Sequence, residues 1–252
     1  MRTPLVAGNW KMHKTLAEAR ELVDGIRKGV EGVDGVDVLI CPPAHLLLPM
    51  MRAVVDSPIM VGAQNVHEEQ KGAFTGEISV PMLVDARCSH VIVGHSERRH
   101  VFGEQGPRLA KKVLAVLGAP SLTAIYCVGE TLDEREAGKT ESVLEQQLDD
   151  VIGSDVAIDR IVVAYEPVWA IGTGKTASPE QAQQAHAFIR SKVSDVYGPA
   201  KADDLRILYG GSVKPDNAGI LMEQKDVDGA LVGGACLVAE DFVAIIRAGV
   251  SA

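Results

Sequence analysis

The chain has 252 residues, 46% of them hydrophobic but only 4% aromatic, and a formal net charge of −9. A chain of that length buries about three-quarters of its unfolded surface, so an aliphatic core can hold it without disulfides or metals. The acidic balance argues against non-specific binding to nucleic acid or to an anionic membrane, both of which need basic patches, and leaves room for a small anionic ligand at a local positive site.

The four cysteines, Cys41, Cys88, Cys127 and Cys236, are widely spaced and form no C-x-x-C pair. They read as reduced thiols of a cytoplasmic protein. The opening "MRTPLVAGNWKMHKT" holds too short an apolar stretch for a signal peptide. No run approaches the roughly 20 apolar residues of a membrane span.

Apolar runs of strand length recur along the chain. "PLVAG" at Pro4 comes first, then the amphipathic "TLAEARELVDGIRKGV", with Leu16, Ala19, Leu22, Val23 and Ile26 on one helical face. "VDVLIC" at Val36, "PIMVGA" at Pro58 and "HVIVG" at His90 follow. The helical "GPRLAKKVLAVLG" leads to "LTAIYCVG" at Leu122, and "ESVLEQQLDDVIG" leads to "RIVVAY" at Arg160. "SPEQAQQAHAFIRSKVSDVYG" opens with Ser178 as N-cap and Pro179 at the first helical position. "LRILYG" at Leu205 and "GALVG" at Gly229 complete the set. Runs this continuously rich in Val, Ile and Leu are those of parallel strands buried on both faces.

Eight such alternations in 252 residues, with no linker or low-complexity stretch between them, predict an α/β fold. Its form is a (β/α)8 TIM barrel, a single domain over 1–252. A doubly wound open sheet is the competitor, but "GNWKMHKT" lacks the G-x-G-x-x-G of a dinucleotide-binding turn. The polar motifs follow the strands directly: "NWK", "QN", "HSE", "GE", "EP", "GGS" and "GG". In a barrel those positions share the C-terminal mouth, where such enzymes build their sites.

Glu166 ends the sixth strand, between Tyr165 and Pro167. A carboxylate in so apolar a setting is a candidate general base, its pKa expected to rise toward working pH. His95 stands before Ser96, a candidate N-cap. The helix field there disfavours the imidazolium and suits a neutral hydrogen-bond donor. Lys11 is the candidate anchor for an anion, with a Schiff-base role as the alternative. Asn9 can donate to a developing oxyanion. The paired glycines of "YGGSV" and "LVGGA", with Ser212, Gly233 and Gly234, suggest a backbone phosphate site after the last two strands. Pro167–Val168–Trp169 and Lys175–Thr176–Ala177 are candidate hinges of a lid. Its apolar part is Ala170–Ile171, and Gly172, Thr173 and Gly174 follow.

Taken together, "NWKM", "GHSERR", "AYEPVWAIGTGKTA", "YGGSV" and "LVGGA" resemble the signature motifs of the triosephosphate isomerase family in order and spacing. "CPP" at Cys41, "GAQNVHEEQKGAFTGEIS" and "CVGETLDEREAGKT" agree, so the resemblance covers essentially the whole chain. It implies interconversion of dihydroxyacetone phosphate and D-glyceraldehyde 3-phosphate, a step of glycolysis and gluconeogenesis, with no cofactor and no metal. Glu166 would be the base, His95 the neutral electrophile, Lys11 the positive charge and Asn9 a hydrogen-bond donor. Trp10, Gly172, Ser212, Gly233 and Gly234 would complete the substrate site, the glycines and Ser212 through backbone N–H groups. Ser96 and Glu97 would be supporting residues, Glu97 by bonding Lys11 or the substrate region. Cys127 matches a packing position. Cys236 departs from the pattern, where Ser is more usual.

The resemblance also implies a homodimer. The third mouth loop carries Phe74, Thr75, Gly76 and Glu77, and in the family it inserts into the partner, with Thr75 reaching the other site. An Arg98–Glu77 pair would support that arrangement. Two rival readings are a Schiff-base aldolase using Lys11 and a binding protein on the same scaffold. The second would be expected to lack one of Lys11, His95 or Glu166, and all three are present.

Overall fold

The computed structural model describes residues 2–153, 155–172 and 175–250. Thr173 and Gly174 of the expected lid lie outside the described residues.

Eight parallel strands close into a barrel in chain order: β1 (Leu5–Asn9), β2 (Asp37–Cys41), β3 (Ile59–Ala63), β4 (His90–Val93), β5 (Thr123–Val128), β6 (Ile161–Tyr165), β7 (Ile207–Tyr209) and β8 (Gly229–Val232). Closure is made by β1, which pairs Leu5 with Asp37 on one side and with Gly229 on the other. The (β/α)8 architecture is therefore the observed one. Each expected strand appears within two residues of its run.

Helices lie between the strands. They are α1 (Leu16–Gly29), α2 (Leu47–Ala53), α3 (Val80–Asp85), α4 (Ser96–His100), α5 (Gly106–Leu117), α6 (Leu132–Glu136), α7 (Thr140–Asp149), α8 (Pro179–Tyr197), α9 (Pro199–Asp204), α10 (Ala218–Met222) and α11 (Ala239–Val250). Helix α1 starts at a capping box, Thr15 with Glu18, and buries Ala19, Leu22, Val23 and Ile26. Leu16, expected on that face, is exposed instead. As the first helical residue it precedes the turn that meets the barrel. Helix α8 starts as anticipated, with Ser178 Oγ accepting from Gln181 N–H and Pro179 in the first turn.

Side chains alternate across each strand with period 2, and the barrel sorts them into two cores. Val6, Val38, Val91, Val163 and Ile207 face outward, toward the helices. Leu5, Ala7, Leu39, Cys41, Ile92, Ile125, Cys127, Val162, Ala164, Leu208 and Leu231 fill the inside. Each large aliphatic side chain so buried contributes about 2 kcal/mol relative to exposure. The same alternation aims the next inward positions at the mouth. After Ala7 comes Asn9, and after Val162 and Ala164 comes Glu166. All four cysteines are unpaired and buried. Among the described residues no helix is long and apolar enough to cross a membrane.

Candidate active site

Above the inner core lies a cavity of about 820 Å³, bordered by Asn9, Trp10, Lys11, His95, Glu166, Ile171, Gly172, Ser212, Gly233 and Gly234, among others. The barrel thus brings the candidate catalytic and phosphate-site residues to one opening. Trp10 borders it too, but its ring is wholly buried in the outer core. Its side chain packs the barrel wall.

Glu166 is 2% exposed. Its Oε2 accepts the Ser96 backbone N–H at 2.8 Å, and its Oε1 lies 3.0 Å from His95 Nε2. The apolar flanks of the sequence suggested a raised pKa, and the structure gives the opposite. Burial works to raise it, but His95, the Ser96 N–H and Lys11 outweigh burial and hold the carboxyl below its usual range. In this resting position Glu166 is an anion parked at the first turn of α4.

His95, and not the expected Ser96, is the N-cap of α4, because its ring Nδ1 accepts from Glu97 N–H at 3.2 Å while Ser96 is the first helical residue. Burial works against the cation, while the Glu166 carboxylate works for it and gives a net upward shift. A ring nitrogen that accepts a backbone N–H carries no proton. The bond therefore selects the neutral ring with its proton on Nε2, facing Glu166. Should Glu166 take up a proton, the largest upward push disappears, and burial and Lys11 then act against the weaker pull of Glu97. The pair thus favours one proton moving at a time.

Lys11 adopts a left-handed backbone, φ 50°. Asn9 Oδ1 accepts its N–H at 3.0 Å, and Gln64 Nε2 donates to its carbonyl at 2.9 Å and to that of Cys41 at 2.8 Å. Strain of this kind persists where the surroundings over-determine it. The ammonium is held 2.6 Å from Glu97 Oε1. Its amide oxygen is thereby committed to Lys11, which leaves Nδ2 as the candidate donor of Asn9. Among the described residues no three metal-binding side chains come together.

At the first expected hinge, Val168–Ala170 forms a single 3-10 turn. Trp169 Nε1 donates to Glu130 Oε1 at 2.9 Å, and the Tyr165 hydroxyl donates to the same oxygen at 3.0 Å. Arg135 completes the cluster, bonding Glu130 at 3.0 Å and lying 4.8 Å over the Trp169 ring. Glu130 is fully buried. It and Gln64 were visible in the sequence as "GE" and "QN" after strands, but nothing there tied them to a hinge or to Lys11. Ile171 and Gly172 reach the cavity. Lys175, Thr176 and Ala177 lead into the Ser178 cap.

Phe74 is half-exposed and lies against the His67 ring, centroids 4.1 Å apart. Thr75, Gly76 and Glu77 follow at the exposed tip of the loop. The expected Arg98–Glu77 pair does not form within the chain. Arg98 bonds Glu104 at 2.7 Å, and that oxygen also accepts from buried Lys112 at 2.6 Å. A buried carboxylate wins the guanidinium over one at a solvated loop tip, since burying it unpaired is the costlier alternative.

A sequence model of the family described as "Triosephosphate isomerase" matches residues 4–249. Curated proteins of that name are similar over nearly their full lengths. That of Syntrophotalea carbinolica is 53% identical over 249 residues, covering 98% of each chain. That of Geobacter metallireducens is 52% identical over 249 residues, covering 98% of this chain and 99% of its own. That of Roseiflexus sp. is 53% identical over 249 residues, covering 98% of each.

Proposed function

The chain belongs to the triosephosphate isomerase family, and from that premise we propose how its mouth residues divide the work. The activity is the reversible interconversion of dihydroxyacetone phosphate and D-glyceraldehyde 3-phosphate through an enediolate. Residues 1–252 act as one catalytic domain.

Glu166 leaves the Ser96 N–H and takes the proton on the carbon next to the substrate carbonyl. The electron pair of that C–H bond becomes the enediolate double bond, and the carbonyl oxygen gains the charge. His95 Nε2–H donates to that oxygen and relays a proton between the two enediolate oxygens. Glu166, now a carboxylic acid, returns its proton to the neighbouring carbon. Lys11 and Asn9 stabilise the negative charge as it develops. Backbone N–H groups of Gly172, Ser212, Gly233 and Gly234 hold the phosphate. The lid over 167–177 closes on it, because an enediol phosphate in water expels its phosphate and a closed site keeps water out.

One observation carries this reading: a buried carboxylate and a neutral-capable imidazole meet at 3.0 Å on the floor of a cavity edged by an ammonium. Its test is isomerisation of D-glyceraldehyde 3-phosphate by the purified protein and by Glu166→Gln. Rapid turnover in the first, reduced about 10³-fold in the second, is expected. Undiminished turnover in the variant would remove Glu166 from the role of base.

The working unit is a homodimer in the cytoplasm. Support comes from a second cavity of about 380 Å³ beside the first, lined by Met12, Gly76, Glu77, Arg98 and Phe102 among others. Met12, Val101 and Phe102 near it are strongly exposed apolar groups of the kind that mark an interaction site. A second copy's Phe74–Thr75 loop fits that chemistry, and the four unpaired buried cysteines suit a reducing compartment. Thr75→Arg is expected to give monomers of low activity in sedimentation. A dimer of unchanged strength would take this loop out of the interface.

A further inference from the structure

Gln147 lies on α7, outside the barrel, between the buried Leu144 and Leu148. A polar side chain on the inward face of an amphipathic helix needs partners. Gln147 finds both of them on one residue. Its Oε1 accepts the Gly129 N–H at 2.8 Å and its Nε2 donates to the Gly129 carbonyl at 3.1 Å. Strand β5 ends at Val128, so Gly129 has left the ladder, and the side-chain amide supplies the pairing a strand would have given.

Gly129 is packed against the base. A Cβ there would sit 1.7 Å from the Glu166 carbonyl oxygen, so only glycine lets the two backbones come this close. Glu166 N–H in turn donates to Val128 O at 2.7 Å. A displacement of Gly129 is therefore passed to Glu166. The main chain of Gln147 reaches the electrophile by a second route. Its carbonyl accepts from the Tyr126 hydroxyl at 2.6 Å, and that hydroxyl accepts from Arg99 Nη2 at 3.0 Å. Arg99 Nε donates to the carbonyl of Gly94, the residue before His95, at 2.9 Å. Burial pushes the Tyr126 pKa up to about 12, against the pull of Arg99, so the hydroxyl keeps its proton at working pH.

We propose that Gln147 is a positioning residue for the reaction: one helical side chain outside the barrel sets the separation of Glu166 and His95 by fixing Gly129, while its own carbonyl ties the His95 loop to the same point. This rests on the roles given above to those two residues. A misplacement near 1 Å costs about a hundredfold in rate, and loss of this brace lets the base shift by a fraction of that.

The test is Gln147→Met, which keeps length and bulk but neither hydrogen bond. Turnover is expected to fall about tenfold, with inhibition by inorganic phosphate changed far less, since Ser212, Gly233 and Gly234 of the proposed phosphate site lie on other loops. In a Glu166→Asp background, where the carboxylate is already withdrawn, the same substitution is expected to cost less than about twofold. A merely structural brace would lower the melting temperature and cost the same in both backgrounds. Unchanged turnover in folded Gln147→Met, or an equal loss in both backgrounds, overturns the proposal. If Gln147→Met does not fold, Gln147→Glu decides. It keeps the acceptor for Gly129 N–H and loses the donor, so a loss of several-fold is expected and full turnover is the overturning result. Failure of the underlying roles looks different, since Glu166→Gln would then itself retain activity.

Discussion

The two ends of the barrel treat charge in opposite ways. At the strand N-termini Arg190 is nearly buried, and each of its guanidinium nitrogens is committed. Nε bonds Asp226 at 2.6 Å, Nη2 bonds Asp228 at 2.6 Å, and Nη1 donates to the carbonyls of Ala202 and Leu205 at 2.6 and 2.8 Å. Arg2 adds a second cation to Asp228, and Arg206 bonds Asp37 at 2.6 Å. At the mouth, Lys11 has an ammonium bonded to Glu97, itself half in solvent, and Glu166 rests on donors that the proposed reaction would have it leave. Charges that hold the fold are saturated. Charges proposed to meet substrate are held by bonds that can be exchanged.

The contrast can be broken first at the closed end. Arg190→Met leaves Asp226 and Asp228 buried without their main partner, which costs about 3–5 kcal/mol of stability. Urea unfolding is expected to show that loss while turnover per folded molecule stays at the wild-type level. A large drop in turnover would mean that the two ends are not separable. The mirror experiment is Lys11→Met. It is expected to lower kcat/KM by about 10²- to 10³-fold and leave the unfolding midpoint nearly where it was. Unchanged binding of phosphorylated triose would remove the ammonium from the site.

A smaller effect sharpens the comparison along the pH axis. His186 is fully buried behind β6 and β7, and burial pushes its pKa down to about 4. His90, at the foot of β4, is pushed to about 4 by burial and by Arg206. The unfolded chain takes up protons near pH 6.5 that the fold refuses until about pH 4. Stability is therefore full above 6.5 and is lost as pH falls toward 4, by at most about 3 kcal/mol for each ring. His186→Gln is expected to flatten that acid slope in denaturant titrations. A slope as steep as the wild type's would assign the loss to other groups.

Strand-level features were legible because period and position carry them. Buried parallel strands advertise themselves as apolar runs, and an acid directly after "VVAY" must stand at the mouth on the inward side. Residues acting across chain distance were not legible. Gln147 sits 18 positions from the glycine it clamps, and within α7 it looks like any polar surface residue. The lowered pKa of Glu166 was hidden for the same reason, since the Ser96 N–H lies 70 residues away. The resemblance implied an Arg98–Glu77 pair in support of a dimer, and it gave no sign that within the chain Arg98 and the buried Lys112 share Glu104. Trp10 lay inside a motif, and the motif could not say whether its ring or its backbone faced the ligand.

The aliphatic plug inside the barrel governs traffic as well as stability. Leu39, Ile92, Ile125, Val162 and Leu208 are essentially fully buried across its interior, so the lower end is no exit. Ketose and aldose must come and go through one doorway and are mutually exclusive there. Each slows the other's entry, and the enzyme imposes no direction of its own. Net flow is then set by the concentrations waiting outside relative to their equilibrium ratio, as for a turnstile that turns both ways.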